Sequence, residues 1–354
     1  MRCFFYIEQH IGFVTSYVID IDSQFNYINA KKTGCKMPAT KKTKKELSKD
    51  ELIEKILKLK KKKNAVILAH SYQDSEVQLV ADFIGDSLEL SKKAAATDAD
   101  IIVFCGVDFM AESAKILSPD KKVLLPEINA KCPMAAMCDA DGLRELKAKH
   151  PEAVVISYIN SSAEVKAESD CICTSANAVK IVDHYKDRKI IFTPDKNLGY
   201  YCSMTTGADI ILWNGYCYVH DEFSVGDIFI AKHEHPDCLL LVHPESPKEV
   251  LEKADFIGST SQIVKFVEEN IENMNEKAGV IIGTEIEIAK NLQLRFPSKR
   301  IYPLADHAVC LQMKATELYK VYNSLLNEEF EIFVEEKIRK KALKALNKML
   351  ELSK

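Results

Sequence analysis

Apolar and polar positions follow one another along the chain in short blocks, and these blocks predict a parallel α/β fold. Four short apolar runs lie between residues 65 and 134, and each ends in polar or small residues. The runs cover residues 65–69, 81–85, 101–104 and 123–125. Helix-forming segments such as 88–94 and 110–115 separate them. Short continuous apolar runs that alternate with helices are typical of buried parallel strands in βαβ units.

The block of four runs recurs twice more, which is the most informative feature of the chain. The later copies cover 154–158, 170–175, 190–195 and 210–213, and then 239–243, 254–260, 280–285 and 300–304. Ser87, Ser175 and Thr260 follow the second run of each copy and are 88 and 85 positions apart. We therefore predict three homologous small αβα domains with parallel four-stranded sheets, arranged about a pseudo-threefold axis.

The repeat register also predicts domain boundaries. We expect an N-terminal extension and linker over 1–50, repeat domains over 51–149, 150–232 and 233–316, and C-terminal helices over 317–354 that pack on the first domain. Residues 1–36 match no part of the repeats, so we expect them to be partly disordered and dispensable. Met37, which precedes a lysine-rich stretch, is a candidate for the true start.

Composition favours a soluble cytoplasmic protein. The 354 residues are 47% hydrophobic and 28% charged, as in ordinary globular proteins, and the formal net charge of −4 provides no basic field for nucleic acid. No apolar run approaches the ~20 residues that a membrane helix needs. The eleven cysteines are odd in number and mostly lie in or beside predicted strands, which argues against a secreted disulfide framework. We expect reduced thiols, some of which bind metal.

Chemically active side chains recur at the predicted strand tips. In open parallel sheets, ligands bind at the carboxyl ends of the strands. The first strands end near His70 and Tyr72, Tyr158 and Asn160, and His243 and Glu245; the second end near Ser87, Ser175 and Thr260; the fourth are followed by Cys132, Cys217 and Cys310. Because the copies are expected to meet about one axis, all of these tips should converge on a single central pocket.

Three cysteines in equivalent positions indicate a metal centre. Three thiolates suit a [4Fe–4S] cluster with one iron left unligated by protein, and that iron can act as a Lewis acid. Zinc with three cysteines and a water is the alternative. A role as buried small hydrophobes fits a lone cysteine better than three in register. Six further cysteines within the repeats have no such register and are expected to pack in the core; they are Cys105, Cys138, Cys171, Cys173, Cys202 and Cys238.

The remaining tip residues indicate acid–base chemistry and anion binding. His70 and His243 occupy the same repeat position, which favours a functional role. The hydroxyls that follow the second strands can bind carboxylate or phosphate and can cap the following helix, and the two roles are compatible. Glu245 is a candidate general acid or base. His220, three residues after Cys217, is expected to support neighbouring site residues or the fold rather than to act in catalysis.

Taken together, these motifs resemble the quinolinate synthase A family of de novo NAD biosynthesis, over about residues 51–327. The matching motifs are AHSYQ (69–73), GVDFMAE (106–112), CPMA (132–135), CTSANA (173–178), CYVH (217–220), VHPE (242–245), GTE (283–285) and CLQMK (310–314). The resemblance implies condensation of iminoaspartate with dihydroxyacetone phosphate to quinolinate, phosphate and two waters. It also implies a [4Fe–4S] cluster on Cys132, Cys217 and Cys310.

The resemblance implies roles for individual residues as well. Tyr72, Tyr158, Glu245 and His243 are the implied catalytic residues. The implied substrate-binding residues are His70, Ser87, Tyr158, Ile159, Asn160, Ser175, His243, Pro244, Glu245 and Thr260. Residues 1–36 have no family counterpart. Cys310 lacks the C-x-x-C-x-x-C neighbours of some relatives, so a regulatory disulfide there is not expected.

Two other functions remain open from the residues alone. One is a different Fe–S hydro-lyase that acts on a small carboxylic acid, and the other is a non-catalytic redox or sensor protein. The expected partners are the small-molecule substrates and, transiently, an L-aspartate oxidase or dehydrogenase that supplies iminoaspartate. No nucleic-acid or membrane partner is expected.

Overall fold

Three separate four-stranded parallel sheets make up the fold. The computed structural model describes residues 47–275 and 277–354. Each sheet has the same strand order, in which the second strand lies at one edge and is followed by the first, third and fourth. Every strand pair is parallel. The α/β class and the threefold recurrence predicted from the sequence are therefore confirmed. Residues 1–36, expected to be dispensable, lie outside the described residues.

The first sheet is preceded by a helix whose start carries a capping box formed by Ser48 and Glu51. Its elements are α1 (Lys49–Lys62), β1 (Ala65–His70), α2 (Ser75–Gln78), β2 (Phe83–Gly85), α3 (Ser87–Ala96), β3 (Ile101–Cys105), α4 (Asp108–Leu117) and β4 (Lys122–Leu124). A short 3-10 turn over Ala135–Met137 follows.

The second and third sheets repeat this succession. The second comprises α5 (Ala140–Lys149), β5 (Val154–Tyr158), α6 (Ala163–Ala167), β6 (Cys171–Cys173), α7 (Ala178–His184), β7 (Ile190–Thr193), α8 (Lys196–Thr206) and β8 (Ile210–Leu212). Between them lie α9 (Tyr218–Asp221) and α10 (Val225–Glu234). The third comprises β9 (Cys238–Val242), α11 (Lys248–Leu251), β10 (Phe256–Ile257), α12 (Thr260–Asn270), a 3-10 turn (Ile271–Asn273), β11 (Gly279–Gly283), α13 (Ile286–Arg295), β12 (Ile301–Pro303) and α14 (Leu311–Lys314).

An aspartate fixes the edge strand in each repeat. The Asp82 carboxylate accepts the backbone N–H of Ile67 at 2.8 Å, and the Asp82 N–H donates to the Ile67 carbonyl at 2.9 Å. The same pair of bonds joins Asp170 to Val155, and Asp255 to Leu240. These aspartates follow the 88- and 85-residue spacing. Each ties the turn before the second strand to the first strand, so the strand begins later than the apolar run in the sequence.

The core lies on both faces of the central strands. All residues of β3, β5, β7 and β11 are buried, whereas Phe83 and Ile84 on the edge strand β2 are exposed. Burial on both faces is what near-continuous apolar runs require of a parallel sheet. Among the described residues, no helix combines the length and the apolar character needed to cross a membrane.

Two helices complete the chain, α15 (Leu318–Asn327) and α16 (Glu336–Leu352). The first packs against α1, α2 and β3 of the first repeat. The second packs against α6, β6 and α7 of the second repeat as well as α4 of the first, through an apolar stripe that includes Ala342, Ala345 and Leu346. The tail therefore contacts elements of the first and the second repeat.

Candidate active site

One cavity receives residues from the carboxyl ends of all three sheets. Most of the side chains singled out in the sequence line it: His70, Tyr72, Ser87, Cys132, Tyr158, Asn160, Ser175, Cys217, His243, Glu245, Thr260 and Cys310. Ile159 and Pro244 are buried beside lining residues but do not themselves line it among the described residues. Ile159 packs in the main core instead.

The three cysteines follow the fourth strands and stand just before short helical segments: Cys217 and Cys310 are N-caps, and Cys132 precedes the turn over Ala135–Met137. They are free thiols of intermediate exposure. The backbone N–H groups of Ala135, His220 and Met313, three residues further on in each case, act to lower the pKa of the neighbouring thiol. Burial has the larger effect and raises the pKa of Cys132 to about 12. Backbone N–H groups directed at three sulfurs suit thiolates that are held by a metal, because metal ligation removes the thiol proton.

A chain of buried hydrogen bonds crosses the cavity wall. The Tyr72 hydroxyl lies 2.7 Å from Thr284 Oγ1 and 2.9 Å from Thr260 Oγ1. Thr284 Oγ1 in turn lies 2.9 Å from His220 Nε2, and His220 Nδ1 lies 2.6 Å from Glu245 Oε2. Glu245 also forms a hydrogen bond with Tyr158. The chain connects the two tyrosines and the glutamate that the sequence singled out.

Three ionisable groups of the cavity have shifted pKa values. Burial opposes the charged form of Glu245, but His243, His220 and the Tyr158 hydroxyl together lower its pKa to about 2. Burial lowers the pKa of His243 to about 3 and that of His70 to about 4. Near neutral pH the cavity therefore holds the Glu245 carboxylate and the neutral rings of His70 and His243.

The tyrosines are held as neutral phenols. Burial, reinforced by the negative charge of Glu245, raises the pKa of Tyr72 and of Tyr158 well above the ordinary value. Each hydroxyl thus retains its proton and can donate it within a hydrogen bond.

The hydroxyl residues that follow the second strands, Ser87, Ser175 and Thr260, are not the N-caps of the helices that come next. The side chain of Asp86 caps α3, and that of Ser259 caps α12. Ser87 and Thr260 are the first residues of those helices and line the cavity, as does Ser175. Of the two roles left open by the sequence, capping thus falls to neighbouring residues. The Asn160 side-chain oxygen is buried without a hydrogen-bond partner and lies at the same cavity, so it is available to a ligand.

His220, which lines the cavity, and Thr284, which is hydrogen-bonded to it, are not among the site residues predicted from the sequence. His220 was expected to have a supporting or structural role, and Thr284 appeared only within a motif. Their partners Tyr72 and Glu245 are distant in the sequence, so no local spacing indicates the contact. The GTE motif and the position three residues after Cys217 were the only signals available.

A mononuclear metal site at one cysteine fits the side chains poorly. Ligand atoms of Cys217, His220 and Glu245 lie within 4.8 Å of one another. However, both ring nitrogens of His220 already have partners, Glu245 and Thr284. The three thiols that face one cavity are soft donors of the kind that iron–sulfur clusters require. The donor set therefore fits a cluster shared by the three repeats better than a metal ion on this trio.

The family model that matches this chain and three of its curated relatives all carry the name quinolinate synthase or synthetase. The family described as quinolinate synthetase A protein matches residues 54–351. Quinolinate synthase from Clostridium acetobutylicum is 55% identical over 300 residues, which cover 84% of this chain and 97% of the relative. Quinolinate synthase from Alkaliphilus metalliredigens is 48% identical over 308 residues, which cover 86% of this chain and 100% of the relative. Quinolinate synthase 2 from Methanosarcina acetivorans is 50% identical, covering 86% and 97%.

Proposed function

The chain belongs to the quinolinate synthetase A protein family of NAD-biosynthetic enzymes, and we propose that it condenses iminoaspartate with dihydroxyacetone phosphate to quinolinate, phosphate and two waters. The observation that carries the proposal is the shared cavity. It combines three thiols with the hydroxyls of Ser87, Ser175 and Thr260, the Glu245 carboxylate and the neutral rings of His70 and His243. Both substrates are small anions, and the reaction needs several proton transfers within one enclosed site.

The cluster is part of this proposal. Cys132, Cys217 and Cys310 would hold a [4Fe–4S] cluster, and their alignment with backbone N–H donors supports that assignment. When bound, a cluster with one iron not ligated by protein supplies a Lewis acid for dehydration. The supporting observations are that three repeats each contribute one free thiol to the cavity and that the lining residues include no fourth cysteine among those described.

The residues that follow the second strand of each repeat bind the anionic groups of the substrates. Ser87 and Thr260 are the first residues of α3 and α12, where backbone N–H groups and hydroxyls together receive carboxylate or phosphate oxygens. Ser175 lines the same cavity from the second repeat. The unpartnered oxygen of Asn160 suits an N–H or O–H group of a substrate.

Proton transfer falls to the hydrogen-bonded chain. Glu245 is the group that accepts a proton, because it is anionic and faces Tyr158 and His220. Tyr72 and Tyr158 are neutral phenols that can donate. Neutral His70 and His243 each accept a backbone N–H at Nδ1, from Tyr72 and Glu245 respectively, which leaves the Nε2–H of each ring to orient the substrate.

The proposal extends to organisation and setting. We propose that the three repeats, with the boundaries 51–149, 150–232 and 233–316, are arranged about a pseudo-threefold axis. Their convergence on one cavity supports this arrangement. We further propose a cytoplasmic enzyme whose iminoaspartate comes from an L-aspartate oxidase or dehydrogenase in transient contact, without nucleic-acid or membrane partners.

Anaerobic turnover tests the function. The chain is loaded with iron and sulfide, mixed with both substrates and no electron donor, and assayed for quinolinate. We expect product only when both substrates are present. A redox or sensor protein would form none without a donor, and another hydro-lyase would not require dihydroxyacetone phosphate. Failure of a fully loaded chain to form quinolinate would overturn the proposal.

A further inference from the structure

Each cysteine segment is fastened to the same neighbouring element, the helix that begins after the third strand of its repeat. The carbonyl oxygens of Ala130, Gly215 and Ala308, each two residues before a cysteine, accept backbone N–H groups from the starts of α4, α8 and α13, at 2.8–2.9 Å. This bond recurs in all three repeats. Because the bond joins two backbone groups, it places the cysteine segment beside the start of the helix without help from any side chain.

A carboxylate then completes the attachment. The Cys217 backbone N–H donates to Asp195 Oδ2 at 3.2 Å, and the Cys310 N–H donates to Glu285 Oε1 at 3.3 Å. In the first repeat the Cys132 N–H donates to Asp108 Oδ1 at 3.4 Å. Asp195 and Glu285 have no exposed surface. Sequence analysis singled out none of the three carboxylates.

In the second and third repeats the two oxygens of the carboxylate accept two different backbone N–H groups, and Glu285 Oε1 also pairs with Lys314 Nζ at 3.4 Å. The other oxygen of Asp195 accepts the Leu198 N–H of α8 at 2.7 Å, and the other oxygen of Glu285 accepts the Glu287 N–H of α13 at 2.9 Å. Both residues are the N-caps of their helices. The two N–H groups meet different oxygens, and a side-chain amide replaces one of those oxygens with an NH₂ donor, so in the same position it can satisfy only one of them.

The first repeat is built differently and provides a control. Val107 occupies the N-cap position of α4, and Asp108 is the first helical residue. Its single atom Oδ1 accepts both the Phe109 N–H, at 2.8 Å, and the Cys132 N–H. An asparagine at this position can therefore keep both bonds.

We propose that Asp195 and Glu285 are positioning residues for the metal centre, each clamping a cysteine to a helix start before the cluster is assembled. The inference rests on the proposed function, since it takes Cys217 and Cys310 as ligands. A buried backbone N–H that loses its acceptor opens more readily, because the hydrogen bond that held it closed is gone. Residues that orient metal ligands affect metal retention by about 10–100-fold.

Amide hydrogen exchange in the metal-free full-length chain tests the clamp directly. In Asp195→Asn we expect the segment that contains Cys217 to exchange about tenfold faster or more, and in Glu285→Gln the same at Cys310. The matched control Asp108→Asn should leave the Cys132 segment within about twofold of wild type. Unchanged exchange at both Cys217 and Cys310 would overturn the proposal, as would equally fast exchange at Cys132 in the control.

Iron release provides the second readout. After anaerobic loading, Asp195→Asn and Glu285→Gln should lose iron to a chelator about 10–100-fold faster than wild type, whereas Asp108→Asn should not. A general loss of stability would speed exchange in every segment and lower the melting temperature of the metal-free chain. If Asp195→Asn proves insoluble, Glu285→Gln carries the same test in the third repeat. A wild-type chain that takes up no iron would refute the proposed function, while the exchange data would still decide on the clamp.

Discussion

Replacing Thr284 with valine removes one hydroxyl group from the buried hydrogen-bond chain. The Thr284 side chain is 1% exposed, and its hydroxyl lies between the Tyr72 hydroxyl and His220 Nε2. Valine has nearly the same shape, so the cavity wall stays filled while the hydroxyl is removed. Tyr72 keeps its bond to Thr260 at 2.9 Å, whereas His220 Nε2 loses its partner.

The expected magnitude follows from these contacts. One buried ring nitrogen is left unpaired, which lowers the free energy of unfolding by about 1–3 kcal/mol. If the hydrogen-bond chain also orients the proton-transfer groups, kcat for quinolinate formation should fall by about tenfold. A tenfold change in rate corresponds to about 1.4 kcal/mol. The matched control Thr284→Ser keeps the hydroxyl and should retain most of the wild-type kcat.

Two measurements on the same preparations separate the effect of Thr284→Val on stability from its effect on catalysis. Denaturant titration of the metal-free chain reports the free energy of unfolding, and steady-state kinetics of the loaded chain report kcat and KM. If Thr284→Val has full iron content and the kcat of the wild type, the buried hydrogen-bond chain makes no contribution to catalysis. A kcat loss of the same size in Thr284→Ser would also refute such a contribution, because that variant keeps the hydroxyl.

The remaining predictions concern the cavity groups and one peripheral ion pair. Tyr158→Phe and Glu245→Gln should each lower kcat by ~10²-fold or more with iron content unchanged, the scale of lost acid–base catalysis, and wild-type turnover in both would refute their roles. Thr260→Ala should mainly raise KM, because it removes an oxygen contact present in ground and transition states alike, and an unchanged KM would exclude that contact. Hydrogen bonds from Lys122 and Lys63 lower the pKa of Glu328 to about 2 from an ordinary 4.5, so its stabilisation is present above pH 4.5 and is lost as the pH falls toward 2. Because Glu328 is one-third exposed, Glu328→Gln should lower the free energy of unfolding by less than about 1 kcal/mol at pH 7 and by almost nothing near pH 2; an equal difference at both values would contradict this account.

The architecture was predictable because its signals are local. Parallel strands buried on both faces must be apolar, so each strand is visible as a short run, and threefold repetition makes each run recognisable by comparison with two others. The same register brought out Cys132, Cys217 and Cys310, which line one cavity in the structure. The edge strands were predicted too long, because turns tied by Asp82 and its counterparts occupy the beginnings of those runs.

The interior of the site was less accessible to sequence reasoning because its contacts cross between repeats. Tyr72 meets Thr260 and Thr284 across 188 and 212 residues, and no periodicity links such positions. The roles of the hydroxyls were also ambiguous in the sequence, since Asp86 and Ser259 stand directly before Ser87 and Thr260 and either residue of each pair could cap its helix. Backbone geometry decides which one caps, and that geometry depends on packing.

The most direct test of the central claim is the iron and sulfide content of anaerobically reconstituted wild-type chain beside Cys132→Ser, Cys217→Ser and Cys310→Ser. Cys105→Ser and Cys202→Ser, at buried cysteines that do not line the cavity among the described residues, are the matched controls. We predict about four iron and four sulfide per chain in the wild type and both controls, with loss of the brown absorbance in each of the three ligand variants. A complete cluster in any one of those three variants would contradict the assignment of one ligand to each repeat.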